Sequence, residues 1–346
     1  MAAGEAGQPT NAEDQQQVAP MEPEVALSRL AFVDVMRTVA VGRVVINHAL
    51  PWAWMKWFES LPVMFFASGL LVGRSLATRD WKTVFVGRFK RLAMPTGLYL
   101  AFAVTMKLTG AIPGTTEHLW YVWTFLLFTA LSGVFLRLIR WSRIGTLAIV
   151  SVIVVVATLG PDSYMPWGVS GAYLLAWLAG MIWAEDNCRM PSKRALITTA
   201  VLGFAAAVVA VALLLQLDLL TSPSKLGISM AGLGAAWLAV GLLLRNQLEA
   251  LMGLRAIGPF IRYLNKRLLT IYLWHLPATI LGRQWANDLG LEPFWNACFV
   301  VLVTLVLTGV ATVALGGLED RASASSKRVK ARADASRGAD GPIDLR

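Results

Sequence analysis

The sequence has little charge and few of the residues that build metal or disulfide sites. Only 15% of its 346 residues are charged and 56% are hydrophobic, whereas a soluble domain typically has about 25% charged residues. The chain contains three histidines and two cysteines, Cys188 and Cys298, which lie far apart and form no CxxC pair. We therefore expect neither a disulfide framework nor a metal site.

Several motifs of soluble enzymes are also missing. The sequence has no GxSxG elbow, no HExxH, no Walker loop and no glycine-rich nucleotide fingerprint, so hydrolase, zinc protease and ATPase functions lack a starting motif. The net charge of +10 does not indicate a nucleic-acid partner. In a membrane protein such an excess mostly reflects Lys and Arg at the cytoplasmic face.

What the sequence does contain is a series of apolar runs, each close to the roughly 20 residues that cross a bilayer as a helix. These runs predict an all-α, polytopic membrane protein of about ten transmembrane helices, within a membrane domain of residues 29–318. The polar segments 1–28 and 319–346 are predicted to be disordered cytoplasmic tails. The predicted spans are 31–50, 61–78, 92–112, 119–136, 144–160, 167–184, 195–216, 226–244, 268–284 and 294–315.

The basic residues of the predicted loops alternate along the chain. Loops after even-numbered spans carry sixteen Lys and Arg residues, and the other loops carry three, Lys56, Lys225 and Arg283. Under the positive-inside rule the even loops and both termini are cytoplasmic. The sixteen are Arg79, Lys82, Arg88, Lys90, Arg91, Arg137, Arg140, Arg143, Arg189, Lys193, Arg194, Arg245, Arg255, Arg262, Lys266 and Arg267.

The first predicted span contains Asp34, Arg37, Arg43 and His48, although each ionisable group near the bilayer centre costs about 2.5–3.5 kcal/mol. Arg37 and His48 are only about 20° apart around a helix and about 16 Å apart along it, and Asp34 is placed to pair with Arg37. We expect Arg37 and His48 to face one wet interior channel. The alternative is a surface helix, or a span whose charges are satisfied structurally. Arg43 points away from this stripe.

Two further groups of residues allow both structural and functional interpretations. Ser68 and Gly69 either let another helix approach closely or line a site. Arg88, Lys90 and Arg91, here called the basic cluster, lie in the loop before the third span. Alone they are a topology signal, but clustered guanidinium groups also bind phosphates.

The remaining histidines fall at or within predicted spans. His118, followed by Trp120, begins the fourth span and is either an interfacial residue or part of a site. His275 lies mid-span before Pro277, a setting that often faces a cavity, and its i,i+3 spacing puts Tyr272 on the same face. A histidine in such a position is suited to act as a general base.

Together these motifs resemble the acyltransferase-3 family of integral membrane acyltransferases. The five elements occur in the family's order from the first predicted span to the ninth. They are D-x-x-R-x10-H from Asp34 to His48, FFASG at 65–69, R-x-x-R from Arg88 to Arg91, HLW from His118 to Trp120, and Y-L-W-H-x-P from Tyr272 to Pro277.

The resemblance implies transfer of an acyl group, usually acetyl from acetyl-CoA, to a hydroxyl. His48 would be the catalytic base, Arg37 paired with Asp34 would stabilise charge or position the donor, and the basic cluster would meet the CoA phosphates. The acyl-CoA would be a cosubstrate rather than a bound cofactor. Tyr272, Ser68 and Arg37 are candidate donors to the oxyanion, and a covalent acyl-enzyme remains open.

The acceptor is expected to be a hydroxyl-bearing glycan, a lipid-linked sugar or a natural product. The expected location is a bacterial cytoplasmic membrane, where membrane lipids are further partners. Intramembrane Asp, Arg and His also build proton relays, so a proton-coupled transporter or exporter is the alternative. A non-catalytic membrane scaffold is a third hypothesis.

Overall fold

A computed structural model of the protein describes residues 23–50, 52–112, 114–160, 165–217 and 226–339. These residues form twelve α-helices and two short 3-10 helices, at Ala53–Trp57 and Glu117–Leu119, and no strand occurs among them. The α-helices are α1 Pro23–Ala49, α2 Leu61–Leu76, α3 Trp81–Thr109, α4 Trp120–Trp141, α5 Arg143–Leu159, α6 Met165–Glu185, α7 Lys193–Gln216, α8 Gly227–Leu243, α9 Arg245–Gly253, α10 Ile257–Lys266, α11 Leu268–Asp288 and α12 Pro293–Ala339.

The helices confirm the all-α prediction, and each of the ten predicted spans overlaps one of them. Among the described residues, five stretches are long and apolar enough to cross a membrane: Trp54–Leu76, α3, α4, α7 and the segment Pro293–Arg321 of α12. A sixth is counted if α8 and α9, bent by 59°, form one span. This fits a multi-pass membrane protein, while the number of ten crossings stays a prediction. Neither α1 nor α11 is among these candidates.

The third helix begins earlier than the sequence pattern predicts. The basic cluster was expected in a loop, but α3 starts at Trp81 and contains it. The reason is an N-cap: Asp80 accepts hydrogen bonds from the backbone N–H of Thr83 at 2.9 Å and from its hydroxyl at 2.6 Å. This capping satisfies a backbone N–H that the first turn would otherwise leave unpaired. The cluster therefore lies on a helix, which orients it.

The structure describes parts of both predicted tails, and the membrane-domain bounds of 29–318 stay a prediction. Residues 1–22 and 340–346 of the predicted tails lie outside the described residues, whereas 23–28 belong to α1 and 319–339 to α12. Glu319 is buried, and Asp320 pairs with Arg267 at 2.5 Å. The packed part of the chain therefore extends past residue 318.

An aromatic core lies between α2, α4 and α6. The ring of Phe65 on α2 is fully buried, and its centroid lies 4.9 Å from that of Tyr173, 5.0 Å from that of Tyr121 and 5.5 Å from that of Phe128. Such aromatic groups bury large apolar areas and add specific ring contacts. This core fixes α2 at the centre of the bundle.

Close packing of α2 against α6 depends on two glycines. A Cβ atom at Gly69 would lie 2.1 Å from the carbonyl oxygen of Trp177, and one at Gly180 would lie 2.1 Å from that of Phe66. Small residues let membrane helices approach closely in this way. Gly69 thus has the packing role, while its neighbour Ser68 lines the cavity described below.

Arg43, which points away from the stripe of Asp34, Arg37 and His48, forms a hydrogen bond with the backbone. Its Nη2 donates a hydrogen bond of 2.6 Å to the carbonyl oxygen of Met55. Met55 belongs to the 3-10 helix Ala53–Trp57. The side chain of Arg43 therefore ties the chain segment after α1 back onto α1.

Candidate active site

The three histidines of the chain lie together. His48 ends α1, His118 belongs to the 3-10 helix before α4, and His275 is in the middle of α11. Nδ1 of His48 lies 2.8 Å from Nε2 of His275, across 227 residues of sequence. The ring centroids of His118 and His275 are 5.7 Å apart. Packing of α11 on α1 and on the 3-10 helix thus builds a cluster that we call the histidine cluster.

Two hydrogen bonds of α11 hold this cluster. His275 is fully buried, and its Nδ1 lies 2.6 Å from the carbonyl oxygen of Tyr272. The ring centroids of these two residues are 5.7 Å apart, which confirms that they share a helix face. Pro277 has no backbone N–H, so the carbonyl of Leu273, four residues earlier, lacks its helical partner. Nε2 of His118 lies 3.1 Å from that carbonyl oxygen.

His118 is held on both sides by α11. Its Nε2 forms a hydrogen bond with the carbonyl oxygen of Leu273. Its own carbonyl oxygen accepts a hydrogen bond of 2.7 Å from the hydroxyl of Tyr272. Since a carbonyl only accepts, Nε2 of His118 carries the proton and Nδ1 carries the lone pair. Nδ1 is buried and has no partner among the described residues.

Asp34 and Arg37 of α1 lie close enough to form the predicted ion pair. Nη1 of Arg37 lies 4.0 Å from Oδ1 of Asp34. Asn265 of α10, which sequence reasoning missed, braces this turn. Its side-chain amide donates to the carbonyl oxygen of Asp34 and to the hydroxyl of Thr38, each at 2.7 Å. A polar residue on the inner side of the short amphipathic α10 is the signal that could have identified it.

A cavity of about 590 Å³ opens beside Arg37. Its walls carry seven cationic side chains and one carboxylate, that of Glu319. Ser68, Tyr121, Asn265 and Tyr272 supply further polar groups. The concentration of guanidinium and ammonium groups makes this space suited to a phosphorylated ligand. The cationic residues are Arg37, Arg79, Lys82, Arg88, Lys90, Arg91 and Lys266.

Tyr272 contacts both the cavity and the histidine cluster. Tyr272 lines the cavity and also contacts His118 and His275, with ring centroids 5.4 and 5.7 Å away. None of the three histidines is among the described residues that line the cavity. Arg37 lines the cavity and His48 does not, so the single channel expected for both residues stays a prediction.

Trp120, also predicted to line the site, lies outside both the cavity and the histidine cluster. Its ring stacks on that of Tyr173 with centroids 5.5 Å apart, and its side chain remains partly exposed. It is not among the residues that line the cavity. Its position suits packing at the start of α4.

Comparison with known families matches residues 30–313 to the acyltransferase domain of the acyltransferase-3 family. The match covers most of the chain. The chain belongs to the acyltransferase-3 family. Comparisons with curated proteins and with solved structures give no significant match.

In this acyltransferase-3 chain the matched region holds the cavity arginines and the histidine cluster. Glu319, which also lines the cavity, lies beyond its end. Membership supports a membrane acyltransferase.

Proposed function

We propose that the protein is a membrane O-acyltransferase. It transfers an acyl group, with acetyl the first candidate, from acyl-CoA to a hydroxyl of a carbohydrate or glycosylated acceptor. The observation that carries the proposal is the cavity with seven cationic side chains, whose lining residue Tyr272 also contacts the histidine cluster. The membership in the acyltransferase-3 family supports the reaction class.

The cationic cavity suits the CoA part of the donor. CoA carries phosphates, and guanidinium groups bind phosphate oxygens with paired, charge-assisted hydrogen bonds. Arg88 and Arg91 are one turn apart on α3 and line the cavity together with Arg37 of α1. Under the predicted topology the basic cluster is cytoplasmic, so that the donor would enter from that side.

His48 would act as the general base. Its imidazole takes the proton of the acceptor hydroxyl as the oxygen attacks the thioester carbonyl. The tetrahedral intermediate collapses with loss of the CoA thiolate, which takes the proton back from His48. The products are the acyl ester and free CoA, and His48 is regenerated.

The hydrogen bonds of the three candidate oxyanion donors favour Ser68 and Arg37 over Tyr272. The hydroxyl of Tyr272 already donates to the carbonyl of His118, so it is not available in this arrangement. Ser68 and Arg37 both line the cavity and remain candidates.

The test measures thiol release by the purified protein in detergent or nanodiscs, supplied with acetyl-CoA labelled in the acetyl group. We expect acceptor-dependent release of free CoA, and a loss of about 10²–10⁴-fold or more in His48→Ala, as for removal of a general base. Asn47→Ala, one residue away and outside the histidine cluster, is the control and should stay close to the unsubstituted protein. Equal activity of His48→Ala and Asn47→Ala would refute the role of His48.

The buried histidine cluster is also compatible with the alternative of a proton-coupled transporter, since intramembrane histidines build proton relays. The same preparation, reconstituted in vesicles, distinguishes the two. A transporter moves a solute across the vesicle membrane without acyl-CoA. An acyltransferase releases CoA and forms an ester, and leaves solute flux unchanged.

A further inference from the structure

We infer that His275 is a positioning residue that holds His48 in the tautomer protonated on Nδ1, so that Nε2 of His48 is the nitrogen that receives the acceptor's proton. The inference rests on the proposed function for the identity of the base. It extends that function to the atom that does the chemistry and to a second residue that governs it.

The buried end of the His48–His275 pair fixes the order of its hydrogen bonds. Nδ1 of His275 lies 2.6 Å from the carbonyl oxygen of Tyr272. A carbonyl oxygen has no proton to give, so Nδ1 of His275 must carry the hydrogen. A neutral imidazole has one N–H, and Nε2 of His275 therefore has a lone pair.

The tautomer of His48 follows from that of His275. Its Nδ1 lies 2.8 Å from Nε2 of His275, which can only accept. Nδ1 of His48 must therefore be the donor, which leaves the lone pair on Nε2. This nitrogen has no hydrogen-bond partner among the described residues, so it is free to meet an acceptor hydroxyl.

The opposite arrangement is disfavoured by the burial of His275. If Nε2 of His275 donated to His48, its Nδ1 would present a lone pair to the carbonyl oxygen of Tyr272 at 2.6 Å. His275 is 0% exposed, so water cannot relieve that repulsion. A buried polar atom left without a partner costs about 1–3 kcal/mol. Both tautomers are therefore set by one backbone carbonyl of α11.

The hydrogen bond to His275 also stabilises the protonated form of His48. When Nε2 of His48 takes the proton, the imidazolium still donates from Nδ1 to His275. That bond becomes charge-assisted, and such bonds are roughly twice as strong as neutral ones. Arg283 donates to the carbonyl oxygen of His48 and keeps the last turn of α1 in place. The role resembles that of the residue which orients the histidine in a hydrolase triad.

The first test reads the tautomers directly and needs no turnover. The chain has only three histidines, so the protein labelled with ¹⁵N-histidine in nanodiscs gives three imidazole groups, assigned by replacing each histidine in turn. Under conditions where the rings are neutral, we expect proton signals on Nδ1 of His48 and His275. His118 provides an internal contrast, because its bond to Leu273 requires a proton on Nε2. A proton on Nε2 of neutral His48 would overturn the inference.

The second test uses two amides of different length at position 275. In His275→Gln the amide oxygen reaches about as far as Nε2 and can accept from His48. In His275→Asn it ends near the position of Nδ1, and His48 loses its acceptor. We expect kcat to fall about 10–100-fold in His275→Asn, as when a supporting hydrogen bond is removed, with KM for acyl-CoA unchanged. His275→Gln should keep most of kcat.

The outcomes separate this inference from the proposed function. If the unsubstituted protein transfers no acyl group, the proposed function fails, and the tautomer measurement still decides the hydrogen-bond order. If His48→Ala is inactive but His275→Asn matches the unsubstituted protein, the function stands and the role of His275 is refuted. Equal losses in His275→Gln and His275→Asn, with equal drops in melting temperature, would indicate packing rather than positioning.

Discussion

The hydroxyl of Tyr272 donates a hydrogen bond of 2.7 Å to the backbone carbonyl of His118. It joins α11 to the 3-10 helix before α4, beside the second contact between these elements, from His118 to the carbonyl of Leu273. The same tyrosine lines the cationic cavity. Tyr272 therefore contacts both the space proposed for the donor and the histidine cluster that contains the proposed base.

Replacing Tyr272 with Phe tests whether its hydroxyl is structural or catalytic. Tyr272→Phe removes the bond to His118 and leaves the ring in place, so we expect a loss of about 1 kcal/mol in the free energy of unfolding. We expect kcat to fall less than tenfold. Loss of an oxyanion donor would instead lower kcat about 10²–10³-fold. Thermal unfolding and acetyl transfer measured on one preparation distinguish the two.

The parts of the site that depend on one helix could be predicted from the sequence. The pairing of Asp34 with Arg37 and the shared face of Tyr272 and His275 follow from i,i+3 spacing, and the structure has both. Pro277 offered a further local signal, since a proline always frees the carbonyl four residues before it. That carbonyl is the one that His118 meets.

The parts that depend on packing between distant helices could not be predicted. The contact of His48 with His275 joins residues 227 positions apart, and spacing within α1 carries no information about it. The same holds for Asn265 on α10, which braces Asp34. It also holds for Tyr272, which lines the cavity together with Arg37 and contacts His275, the partner of His48.

The basic cluster gives a prediction about donor binding. Exchanging Arg88 and Arg91 for Ala removes two guanidinium groups from the cavity wall. Hydrogen bonds to charged groups contribute about 1.5–3 kcal/mol each, so we expect KM for acyl-CoA to rise about tenfold or more, with kcat unchanged. Added salt should raise KM of the unsubstituted protein more than that of the variant, because screening weakens the contacts that the variant lacks.

An acyl donor without phosphate groups tests phosphate binding by the basic cluster more directly. The acetyl thioester of pantetheine has no phosphate, so its KM should be the same in the unsubstituted protein and in the double variant. The matched control exchanges Arg137 and Arg194, exposed arginines that do not line the cavity, and should leave KM for acyl-CoA unaltered. A rise in KM for both donors alike would contradict phosphate binding by the basic cluster.

The contact of α2 with α6 gives a prediction about stability. In Gly69→Ala the added methyl group would meet the carbonyl oxygen of Trp177 at 2.1 Å, and a backbone atom in a packed helix pair cannot turn aside. Overpacking of this kind typically costs about 1–3 kcal/mol. We expect a clearly lower melting temperature and less monodisperse protein. Gly180→Ala, which would meet the carbonyl oxygen of Phe66 at 2.1 Å, should behave similarly.

Gly97→Ala is the control for this pair. Gly97 lies inside α3, and no heavy atom lies within 4 Å of the position its Cβ would take. Since glycine in a helix interior is less favourable than alanine by about 1 kcal/mol, we expect Gly97→Ala to be neutral or slightly stabilising. A melting temperature of Gly69→Ala equal to that of Gly97→Ala would show that α2 and α6 are not packed as closely as described.

The end of the membrane domain gives the last prediction. Oε1 of Glu319 on α12 accepts hydrogen bonds from the backbone N–H and the hydroxyl of Thr270, each at 2.7 Å. Thr270 is in the first turn of α11, where backbone N–H groups have no partner within the helix. A carboxylate there is also favoured by the helix dipole. A residue from the segment predicted to be a tail thus caps the helix that carries Tyr272 and His275.

Separate substitutions of Glu319 and Asp320 distinguish the helix cap from the ion pair between Asp320 and Arg267. Glu319→Ala leaves the buried N–H of Thr270 unpaired, so we expect the free energy of unfolding to fall by about 1–3 kcal/mol. Glu319→Gln keeps an acceptor and should lose less. Asp320→Ala should have the smallest effect, because Asp320 is 61% exposed and Arg267 keeps its hydrogen bond to the carbonyl oxygen of Gly316. If Asp320→Ala lowers the melting temperature as much as Glu319→Ala, the capping role is wrong and the end of α12 acts through charge alone.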